Sequence, residues 1–252
     1  MTDRLYDDPD LVQFYDAENG WDESNDTCRN LAAGCSSILD LGCGTGLLAA
    51  ALATEGRRRV VGVDPARPML EIARHRDGGD GVRWIEADAR SVRLDDRFDL
   101  VVLTGHAFQV FLTHGDRAAV LRTIAHHLAP GGRFVFDSRN PAAEEWREWT
   151  PDRSRRVFRH PVEGEVQAWN DVAYDAKAAV ATYETHYRIA RDGRLISSRS
   201  RIAFPARDDL SRGLGEAGLL VEKWLGDWSG TPWHSLAPEI IPIGRRRGSQ
   251  LP

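Results

Sequence analysis

Apolar residues fall in short, mostly apolar runs through the first half of the chain and alternate with polar ones through much of the second. The runs lie in Ile38–Leu41, Arg59–Asp64, Val82–Ala87, Phe98–Leu103 and Arg133–Asp137, with charged residues at or next to their ends. Runs this short, rich in Val, Ile, Leu and Phe, predict strands covered on both faces. Helix-forming segments lie between them at 47–52, 67–75 and 116–128. Strand and helix therefore alternate from 38 to 137, which predicts a doubly wound α/β sheet of Rossmann-like type. Ahead of it, 11–16 and 25–33 read as short helices. From about Val157 the period changes to two. The stretches 165–174, 179–189 and 194–204, separated by Asp175-Ala176-Lys177 and Arg191-Asp192-Gly193, predict consecutive antiparallel hairpins. A helix over 208–217, stopped by Gly218, and strands over 219–225 and 239–244 complete the pattern. The expected organisation is one domain over 1–252. It comprises N-terminal helices (1–36), a core (38–140), a hairpin insertion (157–204) and a closing helix and strand pair (208–246).

In a doubly wound sheet ligands bind at the carboxyl ends of the strands. Those ends carry the chain's most distinctive residues. The first strand runs into Gly42-Cys43-Gly44-Thr45-Gly46 and then Leu47-Leu48-Ala49-Ala50. Three glycines at spacing two exceed what a chain reversal needs. They permit positive φ and let a ligand approach backbone N–H groups. Two registers fit. Gly44-x-Gly46-x-x-Ala49, with Asp64 twenty residues on, matches a dinucleotide turn and implies an NAD(P)-dependent oxidoreductase. Asp40-x-Gly42-x-Gly44-x-Gly46 matches a turn preceded by an acid. Asp64 ends the second strand, Asp88-Ala89 follows the third, and Thr104-Gly105-His106 follows the fourth.

Composition narrows the partners. The net charge of −5 disfavours nucleic acid, and the Arg245-Arg246-Arg247 run is too short to reverse that. No apolar run approaches the ~20 residues of a membrane span, and the first residues lack a signal peptide's basic and apolar regions. A cytoplasmic location is expected. Cys28, Cys35 and Cys43 lack metal-ligand spacing, as do His114, His126, His127, His160, His186 and His234, so no metal is expected.

The order and spacing of Asp40-Leu41-Gly42-Cys43-Gly44-Thr45-Gly46, Asp64, Asp88-Ala89 and Leu128-Ala129-Pro130-Gly131-Gly132 resemble the class I S-adenosylmethionine-dependent methyltransferases. The hairpin insertion resembles the layout of bacterial small-molecule and amino-sugar N-methyltransferases. The resemblance implies S-adenosylmethionine as cofactor and S-adenosylhomocysteine as product. It implies that Gly42, Gly44 and Gly46 lie along the methionine moiety and that Asp40 supports the turn and the amino group. It further implies Asp64 on the ribose hydroxyls, Met69 near the adenine, Asp88 and Ala89 on the adenine edge, and Thr104 and Gly105 at the methionine end. Tyr15 and Trp21 are placed either to cover the cofactor or to pack the N-terminal helices on the core.

Methyl transfer needs no obligatory catalytic group, but an amine or hydroxyl acceptor must lose a proton. His106 is the candidate base, Gln109 a candidate to orient the acceptor. Arg139 is a candidate clamp for a substrate carboxylate or phosphate, with an ion pair to Asp137 or Glu145 as the alternative. Trp146, Trp149, Trp169, Trp228 and Trp233 suggest an aromatic wall or a contact between two subunits. The expected acceptor is a small molecule, through N or O rather than C. The insertion shapes its pocket or joins a homodimer. A SAM-binding module without catalysis is the remaining alternative.

Overall fold

The computed structural model of the chain describes residues 3–248. Four short helices come first: α1 Arg4–Asp7, α2 Pro9–Val12, α3 Tyr15–Glu18 and α4 Glu23–Leu31. The core follows as β1 Ser37–Leu41, α5 Leu47–Thr54, β2 Arg59–Asp64, α6 Arg67–His75, β3 Val82–Glu86, β4 Phe98–Leu103, α7 His114–His127 and β5 Leu128–Phe136. A two-residue strand, β6 Ser138–Arg139, leads to the insertion: β7 Arg156–His160, β8 Gly164–Asp175, β9 Val180–Ile189 and β10 Leu195–Ala203. The chain returns to the core with α8 Arg207–Glu216, β11 Leu219–Leu225 and β12 Glu239–Arg246.

The main sheet runs β11-β12-β5-β4-β1-β2-β3, with β6 alongside β12. Strands β1 to β5 are parallel and β12 enters antiparallel between β11 and β5. The doubly wound reading therefore holds. Its physical cause is visible in β1, whose five residues are all buried because helices cover both faces. One face packs Leu39, Val61, Val101, Phe134 and Ile124, and the other packs Ile38, Leu48, Val60, Val102 and Ile241.

Three boundaries differ from expectation. Strand β5 starts at Leu128, ahead of Pro130-Gly131-Gly132, because the ladder to β4 skips: Phe98 pairs Leu128, then Leu100 pairs Arg133. A Cβ at Gly132 would meet the Phe98 carbonyl at 2.6 Å, so only glycine permits this excursion. The insertion has four strands, ordered β10-β9-β8-β7, because β7 adds an edge that the alternation did not reveal. Helix α1, capped by the Asp3 carboxylate, which accepts from Leu5 N–H, lies outside the expected helices, and the helix expected over 11–16 is broken at Gln13-Phe14 into α2 and α3.

The N-terminal helices join the two sheets. Leu11 and Phe14 pack against Val166, Ala168, Tyr187 and Ile189 of the insertion, while Val12 packs with Ala66 and Met69 of the core. Helix α3 adds a carboxylate on each side. Asp16 accepts from Thr45 Oγ1 (2.6 Å) and pairs with Arg76. Glu18 pairs with Arg156 and accepts from the Tyr187 hydroxyl (2.5 Å).

Candidate active site

The turn after β1 is built by exclusion. Gly42, Gly44 and Gly46 all have positive φ (+69°, +53° and +77°). The space above each differs. A Cβ on Gly46 would come within 2.8 Å of Ala73 Cβ and closer still to the Trp84 ring. A Cβ on Gly42 would reach Ala107 Cβ at 3.1 Å. Over Gly44 nothing lies nearer than the Tyr15 hydroxyl at 3.9 Å, and Gly105 faces open space. The flanking glycines make the backbone close-packed, and the middle one leaves room for a ligand.

Two acids converge beneath that room. The Asp64 carboxylate, 8% exposed, accepts from Gly44 N–H (2.9 Å) and Ala66 N–H (2.8 Å). Each of its oxygens keeps a second lone pair, the arrangement a diol requires. Burial pushes its pKa up, against the pull of those two N–H groups. Asp40, at the fourth position of β1, is 3% exposed, and among the described residues nothing donates to its carboxyl. Burial, with Asp64 nearby, pushes its pKa up to about 8. A buried carboxyl without a donor is costly unless a cation joins it.

That acid makes a testable difference. Folding raises the pKa of Asp40 from its ordinary 3.8 to about 8, so the folded chain holds a proton that the unfolded chain has lost. Stability from this group therefore falls as pH rises from about 4 to about 8. Asp40→Asn removes the cost: a higher melting temperature at pH 8 without ligand, together with weaker binding of a cationic ligand, is the expected pair of results. Thermal melts with and without S-adenosylhomocysteine check both.

The remaining residues are distributed around this centre. Met69 is buried against Val12 and Ala66, with Tyr6 and Tyr15 beside it. Tyr15 lies over Gly44, and burial next to Asp64 and Asp16 pushes its phenol up to about 12, so it stays protonated. Trp21 is not brought to the turn: its indole donates to Asp26 (2.8 Å), and Arg29 lies over its ring. Ala89 is buried, whereas the Asp88 carboxylate is held by Arg90, whose other arm bonds Asp116 (2.8 Å). The Arg90 hydrogen bonds hold Asp88 below its ordinary pKa. An adenine amino group there would share the carboxylate with Arg90.

Thr104 and Gly105 lead from β4 into His106, which has φ +59°. The His106 N–H donates to Asp137 (2.9 Å) and its Nε2 lies 2.8 Å from Glu239 Oε1. Burial lowers the imidazole pKa, but the Asp137 carboxylate and the bond to Glu239 outweigh it and hold the ring above its ordinary value. Gln109 is fully buried and committed to protein: it donates to the Ala203 carbonyl (2.7 Å) and accepts from Arg139 (3.0 Å). It therefore ties β10 to the core. Arg139 also bonds Glu145 (2.9 Å) and lies over the Trp149 ring, as the ion-pair alternative expects. The tryptophans separate: Trp146 stacks on Tyr174, Trp149 packs by Tyr183, and Trp169 stacks on His186. Trp228 and Trp233 pack on opposite faces of the main sheet. Glu239, which bonds His106, is a candidate that the local sequence does not announce. It lies 133 positions from His106, and β6, by pairing Arg139 with Glu239, places it there.

Residues 38–132 match the family model described as a methyltransferase domain. The match covers the glycine turn, Asp64, Asp88 and His106. Residues 38–132 are a methyltransferase domain. Over 106 residues the chain is 40% identical to the cypemycin N-terminal methyltransferase of a Streptomyces species, covering 42% of this chain and 43% of that protein. The chain aligns with less than half the length of that curated relative. Across the whole fold it superposes on the CcbJ methyltransferase of Streptomyces caelestis (TM-score 0.78, 21% identity, 94% of this chain and 96% of the other). It does so also on the sugar N-methyltransferase KedS8 of a Streptoalloteichus species (TM-score 0.74, 24% identity, 98% and 96%). The fold of the methyltransferase domain and its insertion is thus the class I S-adenosylmethionine-dependent one. Of the two readings of the glycine turn, the domain match falls on the methyltransferase one. S-adenosylmethionine is the cofactor of the class, and the methyltransferase domain fits it: an open glycine cradle, an acid for a diol and a buried carboxyl awaiting a cation.

Proposed function

We propose that the chain transfers the methyl group of S-adenosylmethionine to a small-molecule acceptor through nitrogen or oxygen. The observation that carries this reading is the acid pair at the glycine turn, Asp64 hydrogen-bonded into the cradle and Asp40 buried beside it without a donor. When bound, the cofactor supplies a methyl group on a cationic sulfur, already activated for displacement. Asp64 and the Gly44 region hold it in place, and Asp40 neutralises a positive group. The acceptor then needs orientation and loss of a proton. His106, at the mouth formed by the end of β4, is the group proposed to take that proton. Arg139, Trp149 and Tyr183 form the proposed wall towards the insertion. The relatives' names include an N-terminal methyltransferase, a sugar N-methyltransferase and ubiquinone-biosynthesis O-methyltransferases, which keeps both nitrogen and oxygen in the proposal.

No helix among the described residues is long and apolar enough to cross a membrane, and the net charge of −5 argues against nucleic acid as acceptor. A homodimer through 157–204 is a further part of the proposal, checked by sedimentation of the full chain.

Calorimetric titration with S-adenosylhomocysteine and, separately, NADH tests the cofactor, and a screen of amino sugars, peptide N-termini and phenols tests the acceptor. Binding of S-adenosylhomocysteine alone is expected, and binding of NADH alone overturns the reading. For the base, His106→Ala is expected to slow transfer by about 100-fold or more, while S-adenosylhomocysteine affinity stays within a few-fold. Unchanged turnover removes His106 from the mechanism.

A further inference from the structure

His106 sits in a pocket of carboxylates that a merely structural histidine does not need. Its backbone is in the left-handed region at φ +59°, where a residue with a Cβ is strained. The Asp137 carboxylate, 1% exposed, holds the His106 N–H there. Its ring meets a second carboxylate, since Nε2 is 2.8 Å from Glu239 Oε1. Nδ1 has no partner among the described residues. The other Glu239 oxygen, Oε2, is buried and also finds no partner there. Glu239 begins β12, and its backbone is fixed twice: its N–H donates to the Gly226 carbonyl (2.9 Å), and its register partner is Arg139 of β6. A carboxylate held this firmly against one nitrogen decides which nitrogen carries the proton.

We propose that Glu239 is a positioning residue: it accepts the Nε2 proton of His106 and leaves Nδ1 unprotonated for the acceptor. This rests on the reading above. In the step, the acceptor's N–H or O–H bond breaks and the proton goes to Nδ1. The freed electron pair forms the bond to the methyl carbon, and the S–CH3 pair stays on sulfur. The imidazolium so formed carries two N–H groups, with Glu239 on one and Asp137 4.0 Å from the same nitrogen. Those two carboxylates stabilise it, and the Arg139 guanidinium opposes it.

The test is the tautomer itself, read on the ligand-free full chain with 15N-labelled histidine. Two-bond nitrogen–proton correlations distinguish Nε2–H from Nδ1–H, and the His106 signal is assigned by its loss in His106→Gln. The expected result is the Nε2–H form above the titration midpoint. In Glu239→Gln the midpoint is expected to move down, because burial then faces one carboxylate fewer while Asp137 and Arg139 remain. An Nδ1–H tautomer in the unaltered chain overturns the proposal, even where the variant fails to fold. An unmoved midpoint in a folded Glu239→Gln overturns it too. Neither readout needs cofactor or acceptor. Failure of S-adenosylhomocysteine to bind would count against the functional reading, and the tautomer would still answer for Glu239.

Discussion

Replacing Asp64 by alanine is expected to weaken S-adenosylhomocysteine binding by about 100-fold or more. A hydrogen bond to a charged group contributes roughly 1.5–3 kcal/mol, and a ribose diol on Asp64, as proposed, would make two. Losing both amounts to at least about 3 kcal/mol, or about two decades of affinity. The turn loses as well, because Asp64 holds the N–H groups of Gly44 and Ala66. Asp64→Asn separates the two contributions. It keeps one carbonyl acceptor, and a loss of only about tenfold is expected. Titration calorimetry on both variants reads the result. Equal affinity in Asp64→Ala and the parent chain would remove the acid from the cofactor site.

Gly46→Ala acts on stability. At φ +77° a side chain costs about 1–2 kcal/mol, and its Cβ would be forced into Ala73 and the Trp84 ring. Trp84 cannot retreat easily, because its indole donates to the Gly79 carbonyl (2.8 Å). Overpacking of this kind adds about 1–3 kcal/mol. A chain of this size should then melt on the order of 10 °C lower. Gly44→Ala is the control: it shares the positive φ but meets nothing nearer than 3.9 Å. It should melt only slightly lower, yet bind S-adenosylhomocysteine poorly, since its methyl group occupies the ligand's space. Differential scanning fluorimetry distinguishes the two.

Much of this was legible from the residues in order. Period and run length locate the parallel strands, the strand ends name Asp64, Asp88 and His106 as candidates, and the register of the glycine turn adds Asp40. These signals are local, because a strand's burial is written in its own side chains. Contacts that depend on distant pairing were not legible. Nothing near His106 announces Glu239, which arrives through the β6–β12 pairing. Gln109 reads as a free polar side chain until Ala203 and Arg139 are seen to consume it. Trp21 and Tyr15 look alike as early aromatics. What separates them is that Tyr15 opens α3 and lies over Gly44, whereas Trp21 falls in the loop before α4 and turns to Asp26, and sequence spacing does not record that difference.

Tyr15, which lies over Gly44, opens a helix of only four residues. Asp16 and Glu18 of that helix reach in opposite directions, Asp16 to Arg76 and Thr45 of the core and Glu18 to Arg156 and Tyr187 of the insertion. The Asp16 pair is partly exposed and contributes about 1 kcal/mol or less, whereas Glu18 is nearly buried. An enzyme that consumes a cofactor with each turnover must exchange the spent molecule every cycle. For the activity proposed above, residence time of the product is then expected to depend on α3, and to be tunable at Asp16 and Glu18 without touching the chemistry below.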